Sequence, residues 1–170
     1  MRLRSEKPAD RQEIRDLTVR AFADPDAARE PGEAALLTEL YACEGYLPDF
    51  SVVAEINGQV VGHAIATRGW LDGDIPLLGL GPLSVEPRHQ NQGVGTALLG
   101  EIQKRAAQSG ERAILLLGEP EYYRRFGYVP AIPSGIIPSD PSWGDYFLVL
   151  NLSTMSLPRG NFRYAEPFGV

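Results

Sequence analysis

Gln90-Asn91-Gln92-Gly93-Val94-Gly95 is a polar run followed by two glycines, at a point where the chain must enter a helix. A helix usually begins on a Ser, Thr, Asp or Asn whose side chain satisfies the first free backbone N–H groups. This stretch leaves those groups bare and removes the side chains that would screen them. Bare N–H groups at the positive end of a helix dipole suit an anion, above all a phosphate. Residues 87 to 96 contain no Asp or Glu to repel one. Gly93 and Gly95 let a ligand approach the backbone closely.

The two glycines alone read equally well as a tight turn into an ordinary helix. The dinucleotide fingerprint Gly-x-Gly-x-x-Gly fails at Leu98, and the phosphate loop fails for want of a Gly-Lys-Ser/Thr ending. A second segment with chemical potential is "YYRRFGY", in which Tyr123 precedes Gly127 by one helical turn. Zinc chemistry is not expected from one Cys and two His residues without carboxylates at suitable spacing. Cys43 stands alone, so no internal disulfide can form and a reducing, cytoplasmic compartment is expected.

The elements that must position these groups alternate in kind. Residues 1 to 5 read as a strand, and Pro8 opens a helix with Ile14, Leu17, Val19 and Phe22 as its apolar stripe. A second helix, "EAALLTELYA", closes before Gly45. "FSVVAEI" and "QVVGHAIATRGW" form a hairpin about Asn57-Gly58, since both residues tolerate positive φ. "IPLLGLGPLSV" is a buried strand disturbed at Gly79, Gly81 and Pro82, where a bulge or an unpaired edge is expected.

Val94, Leu98, Ile102 and Ala106 share a helical face that ends at Gly110. "RAILLL" is a fully buried strand, so strand, helix and strand make a right-handed crossover between parallel neighbours. A short helix at "PEYYRRF", a Pro- and Gly-rich stretch and the strand "YFLVLNL" follow. The tail from Pro158 is expected to be irregular apart from an edge strand at "NFRY". With 170 residues and no linker or repeat, the expectation is one α/β domain over residues 1–170.

Lys plus Arg is 16 against 22 Asp plus Glu, a net charge of −6. That balance argues against nucleic-acid binding, which needs clustered cations. The longest strongly apolar run, "AILLLG", is far too short for a membrane span, and the N-terminus lacks the apolar stretch of a signal peptide.

Gln90-x-x-Gly93-x-Gly95 resembles the Gln/Arg-x-x-Gly-x-Gly/Ala signature of the GNAT superfamily of acyl-CoA-dependent N-acetyltransferases. "YYRRFGY" resembles that superfamily's Tyr-x-x-x-Gly-Phe/Tyr segment, and the intervening elements follow the same order. The resemblance covers residues 1 to 150 and is strongest from Leu77 to Ala131. It implies an α/β (α+β) fold with a mixed, mostly antiparallel sheet, a central splayed parallel strand pair and flanking helices. It also implies acetyl-CoA as cosubstrate and no metal.

Carried over, the backbone N–H groups of Gln92, Gly93, Val94, Gly95 and Thr96 would hold the pyrophosphate, with Gln90 also at the cofactor and Arg88 able to add a charge-assisted contact. Leu83 and Val85 would bond the pantetheine arm, and the Val85 N–H would be the oxyanion donor. Gly118 and Glu119 would line the cofactor channel, and Tyr123 would be the general acid. Members of the family often have an Asn before the tyrosine segment; "LLLGEPEYY" has none. Some have a glutamate on the central strand, where Gly79 stands here, so the general base stays open among Glu119, Asp74, Glu55, His63 and water.

The acceptor implied is a small-molecule or peptide amine, without nucleic acid or membrane, and a homodimer is compatible with the resemblance. The resemblance puts the acceptor side at "DPDAAREPGE" and "PAIPSGIIPSDPSWGDYF", and the acidic balance suggests a cationic amine met there, with Asp140, Asp145, Trp143 and Tyr146 in the second segment. A non-catalytic acyl-CoA-binding module is the competing reading, against which Tyr123 argues. Binding of a simple phosphate anion unrelated to CoA is a third.

Overall fold

The hairpin signals determine the centre of the sheet. Asn57 (φ 52°) and Gly58 (φ 80°) join β2 (Ser51–Ile56) to β3 (Gln59–Leu71), and Asp72 (φ 50°) and Gly73 (φ 89°) join β3 to β4 (Ile75–Val85). Asn, Asp and Gly are the residues that adopt this left-handed region at least cost. The computed structural model describes residues 1–170. The remaining elements are β1 (Arg2–Ser5), α1 (Arg11–Ala21), α2 (Gly32–Ala42), α3 (Val94–Gln108), β5 (Ala113–Leu117), α4 (Pro120–Tyr123), β6 (Val129–Pro130), β7 (Ile136–Ile137), β8 (Phe147–Asn151) and β9 (Gly160–Arg163).

The nine strands run in the order β1-β2-β3-β4-β5-β8-β6, with β9 paired to the end of β3 and to β7. β1 through β4 are antiparallel, β4 and β5 are parallel, and β5 is antiparallel to β8. The expected mixed, mostly antiparallel sheet is present.

The amphipathic stripe of α3 covers one face of the sheet, with Val94, Leu98, Ile102 and Ala106 all buried. Contact is close at Gly62 of β3, where a Cβ would meet Val94 Cγ1 at 2.8 Å and Leu98 Cδ1 at 2.9 Å. Burying each of these aliphatic side chains stabilises the fold by roughly 1.5–3 kcal/mol. Because Val94 is in the first turn, the packing that holds the helix also fixes where its N-terminus points. Gly110 (φ 76°) follows its last turn as expected.

On the other face, α1 and α2 bury Ile14, Leu17, Leu37 and Leu40 against Val53, Val60 and Ile65. The stripe of α1 differs from expectation. Thr18, not Val19, is buried, donating to Ile14 O at 2.9 Å and meeting Ser84 Oγ at 2.9 Å. Phe22 is exposed at the helix end. "RAILLL" is also not buried throughout: Ala113 to Leu116 are, but Leu117 is 49 % exposed.

The tail is the larger departure. β9 is not an edge: it pairs with β3 and β7, its Phe162 and the following Tyr164 are buried among Leu71, Leu77, Leu115 and Phe147, and Ala165 joins the core under α1 and α2. Sequence pattern alone understates such a segment, because four strand residues flanked by Pro and Gly carry little periodicity. No helix is long and apolar enough to cross a membrane.

Candidate active site

The turn before α3 explains its own sequence. Asn91 (φ 59°) and Gly93 (φ 83°) take left-handed conformations and bring the chain round into the helix. The amide of Gln90 donates to Val85 O at 3.2 Å, and that of Gln92 to Arg88 O at 2.8 Å. These polar side chains brace the turn and cap nothing. The first helical N–H with a partner is that of Ala97, bonded to Gly93 O at 3.0 Å. The N–H groups of residues 91 to 96 meet no acceptor in the protein, and the first turn holds no acidic residue. The result is a cradle of unpaired donors with net positive potential.

Beside it the sheet opens. β4 and β5 are paired only at Leu78–Ile114 and Gly79–Leu115. Just beyond, the β3–β4 register shifts between Ala64 and Ala66, opposite Gly81-Pro82, where a bulge is expected. The Glu86 N–H donates to Val61 O at 2.9 Å, so by the alternation of an antiparallel ladder Ser84 and Glu86 face β3. Leu83 and Val85 therefore turn their backbone groups away from β3, into the gap. A cleft of about 580 Å³ lies here, bounded by Leu83, Val85, Gln90, Gly93, Gly95 and Thr96.

Of the sequence-derived set, Leu83, Val85, Gln90, Gly93, Gly95 and Thr96 line this cleft, Arg88, Gln92, Val94, Gly118, Glu119 and Tyr123 do not, and Arg125 and Tyr122 line it in addition. The Arg125 guanidinium sits 4.2 Å over the Tyr122 ring, which fixes a cation at the cleft wall. Both residues belong to the "YYRRFGY" segment, but nothing in its spacing tells which arginine turns inward. The side chain of Val94 is core, so only its N–H is available to a ligand.

Gly118 has a different part from the one expected of it. A Cβ there would overlap the Tyr123 ring, so the glycine makes the seat for that ring. The Gly118 N–H is bonded to Tyr146 O at 2.9 Å, and Glu119 is an exposed residue at the start of α4. Tyr123 is further held by edge contacts with Tyr122 (5.0 Å) and Tyr128 (5.7 Å). Burial raises its phenol above the ordinary value, with a smaller contribution from Tyr122. The phenol is thus protonated throughout the neutral range.

Tyr123 lines a second cavity, of about 440 Å³, which shares Phe22 and Leu83 with the cleft. Its walls are apolar and aromatic, and Trp143 contributes as the sequence suggests. Asp140 and Asp145 line neither cavity. Asp140 instead faces Ser142, whose side chain and, to a lesser degree, N–H (donating at 2.8 Å) lower its pKa, and Tyr146 is 54 % exposed.

The base candidates are scattered. His63 is fully buried, 2.9 Å from Ser51 Oγ and 3.9 Å from Glu6, and burial pushes it down to about 4. Glu55 is paired with Arg4 at 2.9 Å, and Asp74 is exposed in a hairpin turn. None of these, nor Glu119, borders either cavity. Glu33 does: it is the last residue of the acidic segment "DPDAAREPGE" expected on the acceptor side, although the sequence does not single it out among the acids there. No group of His, Cys, Asp and Glu is placed to hold a metal ion.

Comparison with known proteins gives a consistent picture. The family described as "Acetyltransferase (GNAT) domain" matches residues 48–130. The chain is 34 % identical over 125 residues to the N-acetyltransferase YjhQ of Escherichia coli K12, covering 72 % of this chain and 66 % of that protein. It is 32 % identical over 129 residues to the E. coli N-acetyltransferase YhbS, covering 75 % and 73 %. Among solved structures, E. coli YhbS in complex with CoA superposes with a TM-score of 0.89 at 27 % identity, over 99 % of this chain and 92 % of that one. A GNAT acetyltransferase of Brucella melitensis in complex with acetyl-CoA gives 0.80 at 33 % identity, over 98 % and 97 %.

Proposed function

The chain belongs to the GNAT superfamily of N-acetyltransferases, and on that premise we propose that it transfers the acetyl group of acetyl-CoA to a primary amine by direct attack. One observation carries this reading above the others: the unpaired N–H groups of residues 91 to 96 open onto the same cleft as the backbone of Leu83 and Val85. A phosphate-bearing, amide-containing thioester matches both halves of that surface. The cradle takes the pyrophosphate and the strand edge takes the pantetheine amides. Arg125 supplies the cation that Arg88 was expected to supply.

In the reaction the amine nitrogen bonds the thioester carbon, and the carbon–sulfur bond breaks from a tetrahedral intermediate. The Val85 N–H donates to the oxyanion as it forms. The Tyr123 hydroxyl donates to the departing sulfur. A phenol of pKa ~10 and a thiol of pKa ~8.5 make complete transfer uphill by roughly 2 kcal/mol, and the buried position of Tyr123 adds to that. Tyr123 therefore works chiefly as a hydrogen-bond donor, and the sulfur takes its proton finally from water. The nitrogen gives up one proton to water at the cavity mouth, so the balance closes without a buried histidine. His63, neutral and enclosed with Glu6 and Ser51, takes no part.

The test is thiol release from acetyl-CoA with and without primary amines. Release that depends on an amine, with a mass gain of one acetyl group on it, is expected. Hydrolysis indifferent to any amine would overturn the transferase reading.

A further inference from the structure

The second cavity determines what kind of amine can be used. It is bounded by Phe22, Tyr123, Trp143, Tyr164 and Phe168, and Glu33 is its one charged side chain. The Glu33 carboxylate, half-buried at the start of α2, has no hydrogen-bond or ion-pair partner within the protein. A half-buried carboxylate with no partner in the protein is free to meet a cation that enters the cavity. The cavity adjoins the cofactor cleft, with Phe22 and Leu83 in the walls of both, and Tyr123 lines it.

We infer that this cavity is the acceptor site, and that its substrate is a monoamine with an aromatic or branched apolar body, whose ammonium pairs with Glu33 on entry and gives one proton to water before the neutral nitrogen attacks. The assignment rests on the transferase reading above. Charge complementarity chooses the head group: one acidic side chain, and no cationic side chain, in the wall. The apolar wall chooses the body. Tyr164 and Trp143, with ring centroids 6.0 Å apart, and Tyr164 and Phe168, 4.8 Å apart, form a continuous aromatic surface. A cavity of about 440 Å³ holds a ring or a branched chain. Polyamines and aminoglycosides fit poorly, because their further ammonium groups would be desolvated among aromatic rings without a second carboxylate. The loop carboxylates Asp140 and Asp145, the obvious choices from sequence, are not at the site.

The experiment compares 2-phenylethylamine and isopentylamine with spermidine, an aminoglycoside and a lysine-containing peptide, by thiol release at saturating acetyl-CoA. The expected order puts the two apolar monoamines at least tenfold ahead in kcat/KM. Glu33→Gln should raise the 2-phenylethylamine KM tenfold or more, and Trp143→Ala should do likewise for 2-phenylethylamine but barely for ethylamine. Acetyl-CoA affinity, read by calorimetry, should be unchanged in both variants, since neither residue borders the cofactor cleft. Preference for the polycations or the peptide, absence of release with the apolar amines, or an unaltered KM in Glu33→Gln would overturn the assignment while acetyl-CoA binding persists. Loss of acetyl-CoA binding by the unmodified protein would instead mark failure of the transferase reading.

Discussion

The ring of Tyr164 occupies the space that a side chain on Gly79 would need. A Cβ on Gly79 would stand 2.5 Å from Tyr164 Cδ1 and 2.7 Å from Cε1. Gly79 lies at the last paired position of β4 and β5, where the sheet begins to open, and relatives with a glutamate there would place a carboxylate at this point. In this chain an aromatic wall stands there instead, delivered by the segment after β9. The two residues form one feature: the glycine admits the ring, and the ring closes the acceptor cavity.

Gly79→Ala should therefore act through Tyr164. Overpacking a filled interior typically costs about 1–3 kcal/mol, readable as a lower urea midpoint. The amine KM should rise with it, while acetyl-CoA affinity holds. Glu at this position should destabilise further and restore no base, because its carboxylate would be forced against the ring.

Tyr123→Phe removes the hydrogen-bond donor to the sulfur and is expected to lower kcat by about 10²–10³-fold, with acetyl-CoA affinity nearly intact. Tyr122→Phe keeps the ring under Arg125 and should leave kcat within a few-fold. An exchange of these two outcomes, in steady-state kinetics, would reassign the proton donor.

Gly118→Ala tests positioning without touching the phenol. The added methyl group overlaps the Tyr123 ring, so the ring must turn from its seat. Reduced kcat with unchanged acetyl-CoA binding is expected, and a second loss on adding Tyr123→Phe should be small, because both changes remove one contribution. Full additivity would show that Gly118 acts elsewhere.

Acid should destabilise the fold through His63. Its folded pKa, near 4, lies below the ordinary 6.5, because burial disfavours the charged ring. The contribution is thus complete above pH 6.5 and is lost as pH falls toward 4. The full difference amounts to on the order of 3 kcal/mol. Urea unfolding at a series of pH values should show the decline, and His63→Gln should flatten it over that window.

The hairpins, the α3 stripe, the crossover and the bulge near Pro82 were legible because each has a local signature: paired positive-φ residues, a 3.6 period, a proline in a strand. The anion cradle was legible for the same reason. Tyr164 and Phe168 were not, since they reach the acceptor cavity from the tail and look locally like ordinary aromatics; the segment ending at Glu33 was legible as acceptor-side, but not which of its acids turns inward. Arg125 rather than Arg88 faces the cleft because of the stacking on Tyr122, which spacing does not reveal. The role of Gly118 could be read only from the ring that lies on it.

The most direct test of the cofactor site is calorimetric titration of acetyl-CoA into the unmodified protein and Gly95→Glu. Gly93 is unsuitable for this purpose, since its φ of 83° would strain any side chain. At Gly95 a Cβ meets only ordinary contacts, 3.6 Å from Leu83 Cδ2 and 3.7 Å from Val85 Cγ2. An acid in the first turn also suits the helix dipole, so the free protein should melt no lower. The account predicts saturable binding by the unmodified protein and a loss of about 100-fold or more in the variant, roughly 2.7 kcal/mol. Equal affinity in the two proteins would contradict it.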